Sequence, residues 1–527
     1  LIVGGLQCRF YLNWRVKEEV IAMDIRDRYI LAIDQGTTGT TMLLINAQGE
    51  VLHKSYRTFP QSYPQPGWVE HDPEAIWETV RTGIEEMLTL PCVEAEQIAA
   101  IGITNQRETV VVWESRTGRP VYPAIVWQCR RTSDYCTQLN AEGLDSWVAE
   151  KTGLRIDPYF SATKIKWILD HVPGAREQAQ QGELLGGTID SWLIWKLTGG
   201  KSHVTDYSNA SRTLLFNIHH RAWDQDLLDK FAIPRNMLPE VKPSVGFFGA
   251  TERSLFGQPI PITGVFGDQQ AALFGQGCLE PGSMKNTYGT GCFLLMNTGE
   301  KCYPPEYGLL SSIGWVIGDQ TTYVLEGSVF VGGAVVKWLR DQLGLIKEAR
   351  ETEILAQRVA DTNGVYFVPA FTGLGSPHWD PYARGTLVGM TSGTKREHLV
   401  RAALEGIAYQ VKEVVDCMIK VAEHRPEYLR VDGGAAANNF LLQYQADLCG
   451  FPIQRNHSLE LTGLGAAFGA GLGCGLWSSV NEIKDLVRIE RRFTPEITAS
   501  QRDKLMAGWL KAVERAKGWS AVGDGSS

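Results

Sequence analysis

The sequence has no excess of positive charge: 51 Lys and Arg stand against 59 Asp and Glu, for a net charge of −8. That argues against an extended basic face for nucleic acid, and any phosphate site must gather its cations locally. No window approaches the ~18 apolar residues of a membrane-spanning helix. The ten cysteines are scattered, and none forms a CxxC pair or a metal-ligand spacing. A zinc module or disulfide framework is therefore not expected, and the thiols read as buried or half-buried groups of a cytoplasmic chain. Low-complexity segments are missing apart from a Gly-Ser tail at 521–527, which reads as flexible. There is no HExxH, no GxSxG and no protein-kinase glycine loop. Gly200-Lys201-Ser202 resembles the end of a Walker A loop, but Trp195 stands where its first glycine belongs.

What is present is globular: 44% hydrophobic and 21% charged residues. A chain of 527 residues is too long for one ordinary core, so two or more domains are expected. Residues 1–22 have no sustained period and are no signal peptide, so they read as an unstructured extension or a mis-assigned start, with Met23 as the true start.

The most informative stretch is Ile30–Ile45, ILAIDQGTTGTTMLLI. It reads as a strand, a tight turn and a returning strand. Gly36 allows close backbone approach, and the amides and hydroxyls of Thr37 and Thr38 can donate to phosphate oxygens. Asp34, at the strand end, suits a Mg²⁺ held mostly through water. A plain Gly-Thr hairpin is the competing reading.

Strands are expected at Ile30–Ile33, Thr41–Ile45, Val51–Phe59, Ile98–Thr104 and Thr109–Trp113. A helix is expected over Pro73–Leu88, with Asp72 as N-cap and Pro73 at its first position. Glu240–Gly264, rich in Pro and Gly, reads as a loop-rich insertion. Further on, Asn286–Gly299 (NTYGTGCFLLMNTG) echoes Asp34–Gly49, and a strand–helix–strand plan follows it. Two α/β domains on one plan, facing each other, is the economical reading. The boundary falls near Gly275–Pro281, which gives 23–275 and 276–520.

Three more segments carry chemistry. In Val265–Gly275 (VFGDQQAALFG) a strand ends and a helix opens at Asp268, which is either a plain N-cap or a base that accepts a hydroxyl proton. In Leu429–Asn439 (LRVDGGAAANN) small residues admit a flat ring and Asn438 can read its polar edge; a tightly packed strand–helix turn is the alternative. In Thr104–Thr109 (TNQRET) Arg107 and Glu108 pair a donor with an acceptor, suited to neighbouring hydroxyls of a polyol, or to a surface ion pair. Trp127 and Tyr159 are candidate pocket walls, or simply core aromatics.

Taken in order, DQGTT, NQRET, WQCRR, GDQQAALFG, NTYGTGCF and DGGAAANN resemble the FGGY family of carbohydrate kinases, over about Tyr29 to Trp519. PGWVEHDP and NASRT are similar to its glycerol-phosphorylating members. The resemblance implies an actin-like ATPase fold, two ribonuclease-H-like domains around a cleft for MgATP and glycerol, and a homodimer or homotetramer. By motif, Asp268 resembles the catalytic base, and Arg107, Glu108, Tyr159, Asp268 and Gln269 the polyol contacts, with Trp127 and Phe293 as apolar walls. Thr37, Thr38 and Gly39 resemble the first phosphate turn and Thr290 the second. Gly333, Lys337, Gly434 and Asn438 fall on the adenosine side, and Asp34 is similar to the residue that organises Mg²⁺.

The expected activity is transfer of the ATP γ-phosphoryl to glycerol, giving sn-glycerol 3-phosphate and ADP. The rivals are a kinase for another polyol or ketose and a non-catalytic nucleotide switch. The family turn usually reads DQGTTSSR; here Thr41 stands in place of its Arg, and Gly39 in place of a hydroxyl residue. A charge-assisted bond worth roughly 1.5–3 kcal/mol is thereby lost, with Lys337, in place of a family Gln, as a partial substitute. Thr251–Pro259 lacks the Gly-Arg pattern linked in some members to sugar-bisphosphate inhibition.

Overall fold

A computed structural model describes residues 25–91 and 93–520. The readings for 1–22, the start at Met23 and the 521–527 tail lie outside those residues.

Thirteen strands form one twisted sheet. In chain order they are β1 (Tyr29–Gln35), β2 (Gly39–Ile45), β3 (Val51–Thr58), β4 (Ile98–Asn105), β5 (Val245–Ala250), β6 (Pro261–Gly267), β7 (Met284–Tyr288), β8 (Cys292–Gly299), β9 (Leu310–Ile317), β10 (Gln320–Val329), β11 (Leu429–Asp432), β12 (Ile453–Asn456) and β13 (Ile489–Phe493). Their order across the sheet is 13-12-11-7-8-10-9-5-6-4-1-2-3. In the first half β1, β2 and β3 run antiparallel, β4 and β6 join parallel to β1, and β5 closes antiparallel. The second half repeats this plan. There β7, β8 and β10 are antiparallel, β11 and β12 join parallel to β7, and β13 closes antiparallel. The halves touch edge to edge at Val245 and Ile317. The echo between Asp34–Gly49 and Asn286–Gly299 is thus the repeat of a whole sheet motif.

One reading needs correction. Glu240–Gly264 is no loop-rich insertion, because β5 and most of β6 lie in it and both belong to the main sheet. Its glycines serve a bulge: the β5–β6 register shifts between Val245 and Gly249, and Gly249 has φ 148°.

The helices that matter to the site are α1 (Pro73–Leu88), α2 (Ser161–His171), α3 (Asp268–Gly275), α4 (Ala334–Asp341), α5 (Arg396–Ala422), α6 (Asn439–Cys449) and α7 (Leu461–Cys474). The α1 start follows the sequence rule: the Asp72 side chain accepts from the Glu74 amide, and Pro73 needs no partner for the N–H it lacks. Buried Ile76, Val80, Ile84 and Met87 pack on Leu31, Met42 and Leu44 of the sheet.

Helix α7 belongs to the second half of the chain but lies on the first half of the sheet, against β1, β4, β6 and α3. Its composition, LTGLGAAFGAGLGC, permits this. A Cβ at Gly465 would stand 1.9 Å from the Ala271 carbonyl oxygen, and one at Gly102 2.3 Å from that of Ala466. Backbone therefore rests on backbone, which larger side chains would prevent.

Candidate active site

Three adjacent parallel strands end level with one another. Asp34 and Gln35 of β1 pair with Thr104 and Asn105 of β4, which in turn pair with Phe266 and Gly267 of β6. Their carboxyl ends therefore deliver Asp34, the Gln106–Glu108 turn and Asp268 to one place, where ligands of parallel sheets collect. The turn is tight: Thr109 N donates to the Arg107 carbonyl, and Glu108 has φ 62°, a left-handed conformation unusual for a bulky residue. The Ser161 hydroxyl and the Lys164 ammonium, both on α2, donate to the Glu108 carbonyl at 3.2 and 3.4 Å. Lys164 also donates to the Tyr159 and Phe160 carbonyls, so one buried side chain ties the Glu108 and Tyr159 loops together.

The side chains form a buried charge cluster. Arg107 lies fork-to-fork on Glu326, at 2.7 and 3.1 Å. Arg212 donates to Glu326 at 3.0 Å and to Glu108 at 2.7 Å. Arg107 Nε stands 3.0 Å from Asp268 Oδ1, an ion pair without hydrogen-bond alignment. Burial would raise the Glu326 carboxyl, but the Arg107 and Arg212 guanidiniums outweigh it and hold its pKa at about 2. Asp268 moves the other way, raised by burial against the pull of Arg107. It occupies the first turn of α3, and its Oδ1 accepts from the Gln269 amide at 2.6 Å. Its side chain remains 32% exposed, whereas those of Arg107 and Glu108 are 1% exposed.

Two buried guanidinium donors, Arg107 Nε and Arg212 Nη1, have no hydrogen-bond partner. Unpaired buried donors are costly, and a hydroxyl-bearing ligand would satisfy them. Trp127 and Tyr159 meet edge to face beside them, with centroids 5.6 Å apart, and Arg212 lies 5.8 Å from the Tyr159 ring. Gln269 is bonded through Oε1 to the buried Lys285 ammonium, which also donates to the Thr287 hydroxyl and the Phe293 carbonyl. Desolvation lowers Lys285 to about 8. Phe293 is half-buried on β8 and forms no ring pair with Trp127 or Tyr159 among the described residues.

The first Gly-Thr turn closes through Gly36 N to the Gly39 carbonyl at 2.9 Å. Gln35 and Gln106 donate to the Gly36 carbonyl, and Trp127 Nε1 donates to Thr37 Oγ1 at 3.0 Å. Trp127 thus links the Tyr159 ring to the first Gly-Thr turn. Gly39 is buried in β2. Desolvation raises Asp34 to about 7, helped by the Asp268 and Glu460 charges and opposed by Lys54. A carboxylate with two like neighbours is where a cation relieves repulsion, so these residues fit Mg²⁺. Among the described residues no group of three or more His, Cys, Asp or Glu side chains could hold a metal on its own. A cation held at Asp34 would compete with a proton there. MgATP affinity is therefore expected to weaken as pH falls from about 8 to 6, and added Mg²⁺ should restore it at the lower pH. Equilibrium binding across that range checks this, and a flat profile would remove Asp34 from the metal site.

The second Gly-Thr turn mirrors the first. Gly289 N donates to the Gly291 carbonyl, and the carbonyl of exposed Thr290 accepts from Gly332 and Ala334 at the start of α4. Beside it opens a cavity of about 440 Å³, lined by Thr290, Gly333, Lys337, Gly434 and Asn438 and walled by Val336, Leu404, Ala435 and Leu441. The pocket is apolar and of a size for a purine nucleoside. A Cβ at Gly434 would meet no atom within 4 Å, so the glycine leaves open space there. Asn438 Oδ1 caps α6 and its Nδ2 donates to Thr352, which leaves one lone pair and one N–H for a ligand. Lys337 lies at this cavity with Arg340 and Arg350, rather than at the first turn.

The sequence reading missed Arg212, Glu326, Lys285 and Glu460. Arg212 sits inside NASRT, a motif noted without a role. Glu326 is the only acid in the largely buried strand β10, and its partners lie more than a hundred residues away.

The chain is similar to known proteins in both sequence and fold. The model of the FGGY carbohydrate kinase N-terminal domain matches residues 29–275, and that of the C-terminal domain matches 284–474. A glycerol kinase of Symbiobacterium thermophilum is 56% identical over 493 residues, covering 94% of this chain and 99% of its own. A glycerol kinase of Pseudomonas putida is 55% identical over 497 residues, with 94% and 99% covered. The crystal structure of Plasmodium falciparum glycerol kinase with ADP superposes with a TM-score of 0.89 at 38% identity, over 93% of this chain and 98% of that one. A gluconate kinase from Lactobacillus acidophilus, at 24% identity and a TM-score of 0.83, shares the fold. By sequence and by architecture, the chain belongs to the FGGY family of carbohydrate kinases.

Proposed function

We infer that the chain transfers the γ-phosphoryl group of ATP to a terminal hydroxyl of glycerol, giving sn-glycerol 3-phosphate and ADP. The observation that carries the reading is a pair of buried guanidinium N–H donors without a hydrogen bond: Arg107 Nε, 3.0 Å from Asp268 Oδ1, and Arg212 Nη1. A diol supplies the missing acceptors, and its hydroxyl protons find Glu108 and Asp268. The 56% and 55% identical glycerol kinases support the choice of acceptor.

In this reading Arg107 and Arg212 donate to neighbouring hydroxyls, and Glu108 accepts from one of them. Trp127, Tyr159 and Phe293 wall off the carbon skeleton, and Gln269 fixes the end nearest Lys285. Asp268 accepts the proton of the attacking oxygen, and its raised pKa makes it a better base than a solvated Asp. The amides and hydroxyls around Thr37, Thr38 and Thr290 receive charge on phosphate oxygens. Asp34 with Glu460 would hold Mg²⁺, which when bound neutralises charge on the phosphates. The nucleoside lies in the cavity at Gly333, Gly434 and Asn438. Residues 23–275 form the acceptor-side domain and 276–520 the nucleotide-side domain, a division the two matched family segments support.

The eight described cysteines are free and no helix among the described residues is long and apolar enough to cross a membrane, which supports a cytoplasmic setting. The homodimer or homotetramer of the family belongs to the same reading, and sedimentation of the purified chain tests it. Activity is tested by ADP release from MgATP with and without glycerol, beside dihydroxyacetone, xylulose and ribitol. Glycerol is expected to give the highest kcat/KM. A higher value with another acceptor reassigns the substrate, and no acceptor-dependent release overturns the reading.

A further inference from the structure

The first phosphate turn lacks a cation at position 41, yet the face around it is not empty. In the β1–β2 ladder Asp34 pairs with Thr41, and in the β2–β3 ladder Thr41 pairs with Tyr56 and Leu43 with Lys54. Residues opposite one another share a face of the sheet, as do residues two apart on one strand. Asp34, Thr41, Tyr56 and Lys54 therefore stand on the same face. Helix α7 packs on that face, since a Cβ at Gly463 would meet Leu43 and lie 3.8 Å from Asp34 Cβ. Arg57, on the opposite face, is engaged by Glu86 at 2.7 Å.

Tyr56 is 52% exposed, a large surface for an aromatic ring, but it is anchored. Its hydroxyl lies 3.1 Å from Thr38 Oγ1 in the turn itself. Its ring covers Gly39, where an added Cβ would come within 2.7 Å of Cε2 and 2.8 Å of Cζ. The glycine and the tyrosine are thus a matched pair: a side chain at 39 would displace the ring. The Lys54 ammonium is ion-paired with Glu460 beside Asp34, and its side chain is 45% exposed. Thr41 is too short to carry charge to the turn.

We propose that Tyr56 and Lys54 contact the phosphates of the bound nucleoside triphosphate, supplying the hydroxyl donor and the positive charge that residue 41 does not. The phenol O–H extends the hydroxyl row of Thr37 and Thr38 onto β3. Lys54 acts as a point charge that reaches a phosphate oxygen from the side of Glu460. The proposal rests on the kinase reading and adds to it two residues outside every motif that carries the resemblance.

The test uses the full chain with Tyr56→Phe, Lys54→Met and the double substitution. Affinities for ATP, ADP and AMP are measured without glycerol by displacement of a fluorescent nucleotide, and KM for glycerol separately. The double variant is expected to lose at least tenfold in ATP affinity, with AMP affinity within twofold and the glycerol KM within twofold. Adding Thr41→Arg to the double variant should recover part of the ATP affinity. Retention of ATP affinity within twofold overturns the proposal, as does an equal loss for AMP, which would mark a structural defect. Should the double variant not fold, the single variants decide on the same criteria. Because these are binding readouts, the proposal can fail while glycerol-dependent ADP release in the parent upholds the kinase reading, and the reverse.

Discussion

Replacing Asp268 by Asn is expected to lower glycerol-dependent ADP release by about 10²–10⁴ while ATP affinity stays within a few-fold. Asparagine keeps the size of the side chain and its amide oxygen can still accept from the Gln269 amide, so α3 should start as before. What disappears is a basic oxygen 3.0 Å from Arg107 Nε. Without it the attacking hydroxyl must lose its proton to water as the phosphoryl group arrives. Burial raises the Asp268 carboxyl, so in the parent kcat/KM should fall as pH drops through that raised value. In the variant this limb should be missing. Single-turnover quench across pH measures both, and turnover within tenfold of the parent would dismiss Asp268 as the base.

The second large effect concerns a residue outside the acceptor pocket proper. Glu326→Gln removes the charge that two buried arginines share. Breaking a buried ion pair from one side costs about 3–5 kcal/mol, since the orphaned charge remains desolvated. We expect a clear drop in Tm and at least a hundredfold loss in kcat/KM for glycerol, because the glutamine amide carries no charge and can accept only one of the two bonds that hold Arg107. Glu326→Asp should recover part of the glycerol KM without recovering all of the stability. A glycerol KM unchanged in Glu326→Gln would mean that Arg107 is held by its other partners. The pH dependence has a definite sign. The folded Glu326 pKa of about 2 lies below the ordinary 4.5, so the unfolded chain binds the proton more tightly. The stabilisation is complete above about pH 5 and is lost as pH falls toward 2.

These two residues differ in how far the sequence discloses them. Asp268 follows an apolar strand and opens an apolar helix, so local pattern alone marks it. Asp72 and Pro73 likewise announce α1, and Gly-Thr turns between apolar runs announce β1–β2 and β7–β8. Glu326 has no such neighbourhood. It is an acid in the middle of a buried strand, and only the pairing of distant segments gives it Arg107 and Arg212 as partners. Lys285 is hidden for the same reason. Strand β5 and the start of β6 were illegible because their glycines and prolines, which read as loop, serve a bulge and the passage of α7 across Gly264. Nothing in the sequence around Tyr56 singles it out. Its meaning appears only when its ring is seen to fill the space that Gly39 leaves.

The glycines of α7 carry a mechanical consequence. Where backbone lies on backbone the spacing of two helices is set by main-chain atoms rather than by rotamers, so the contact has no slack to absorb an added atom. Helix α3, the partner of α7 in this contact, begins with Asp268. The contact therefore sets the depth at which α3 presents Asp268. A single methyl group at Gly465 would press on the Ala271 carbonyl, lift α3 off α7 and shift Asp268 with it.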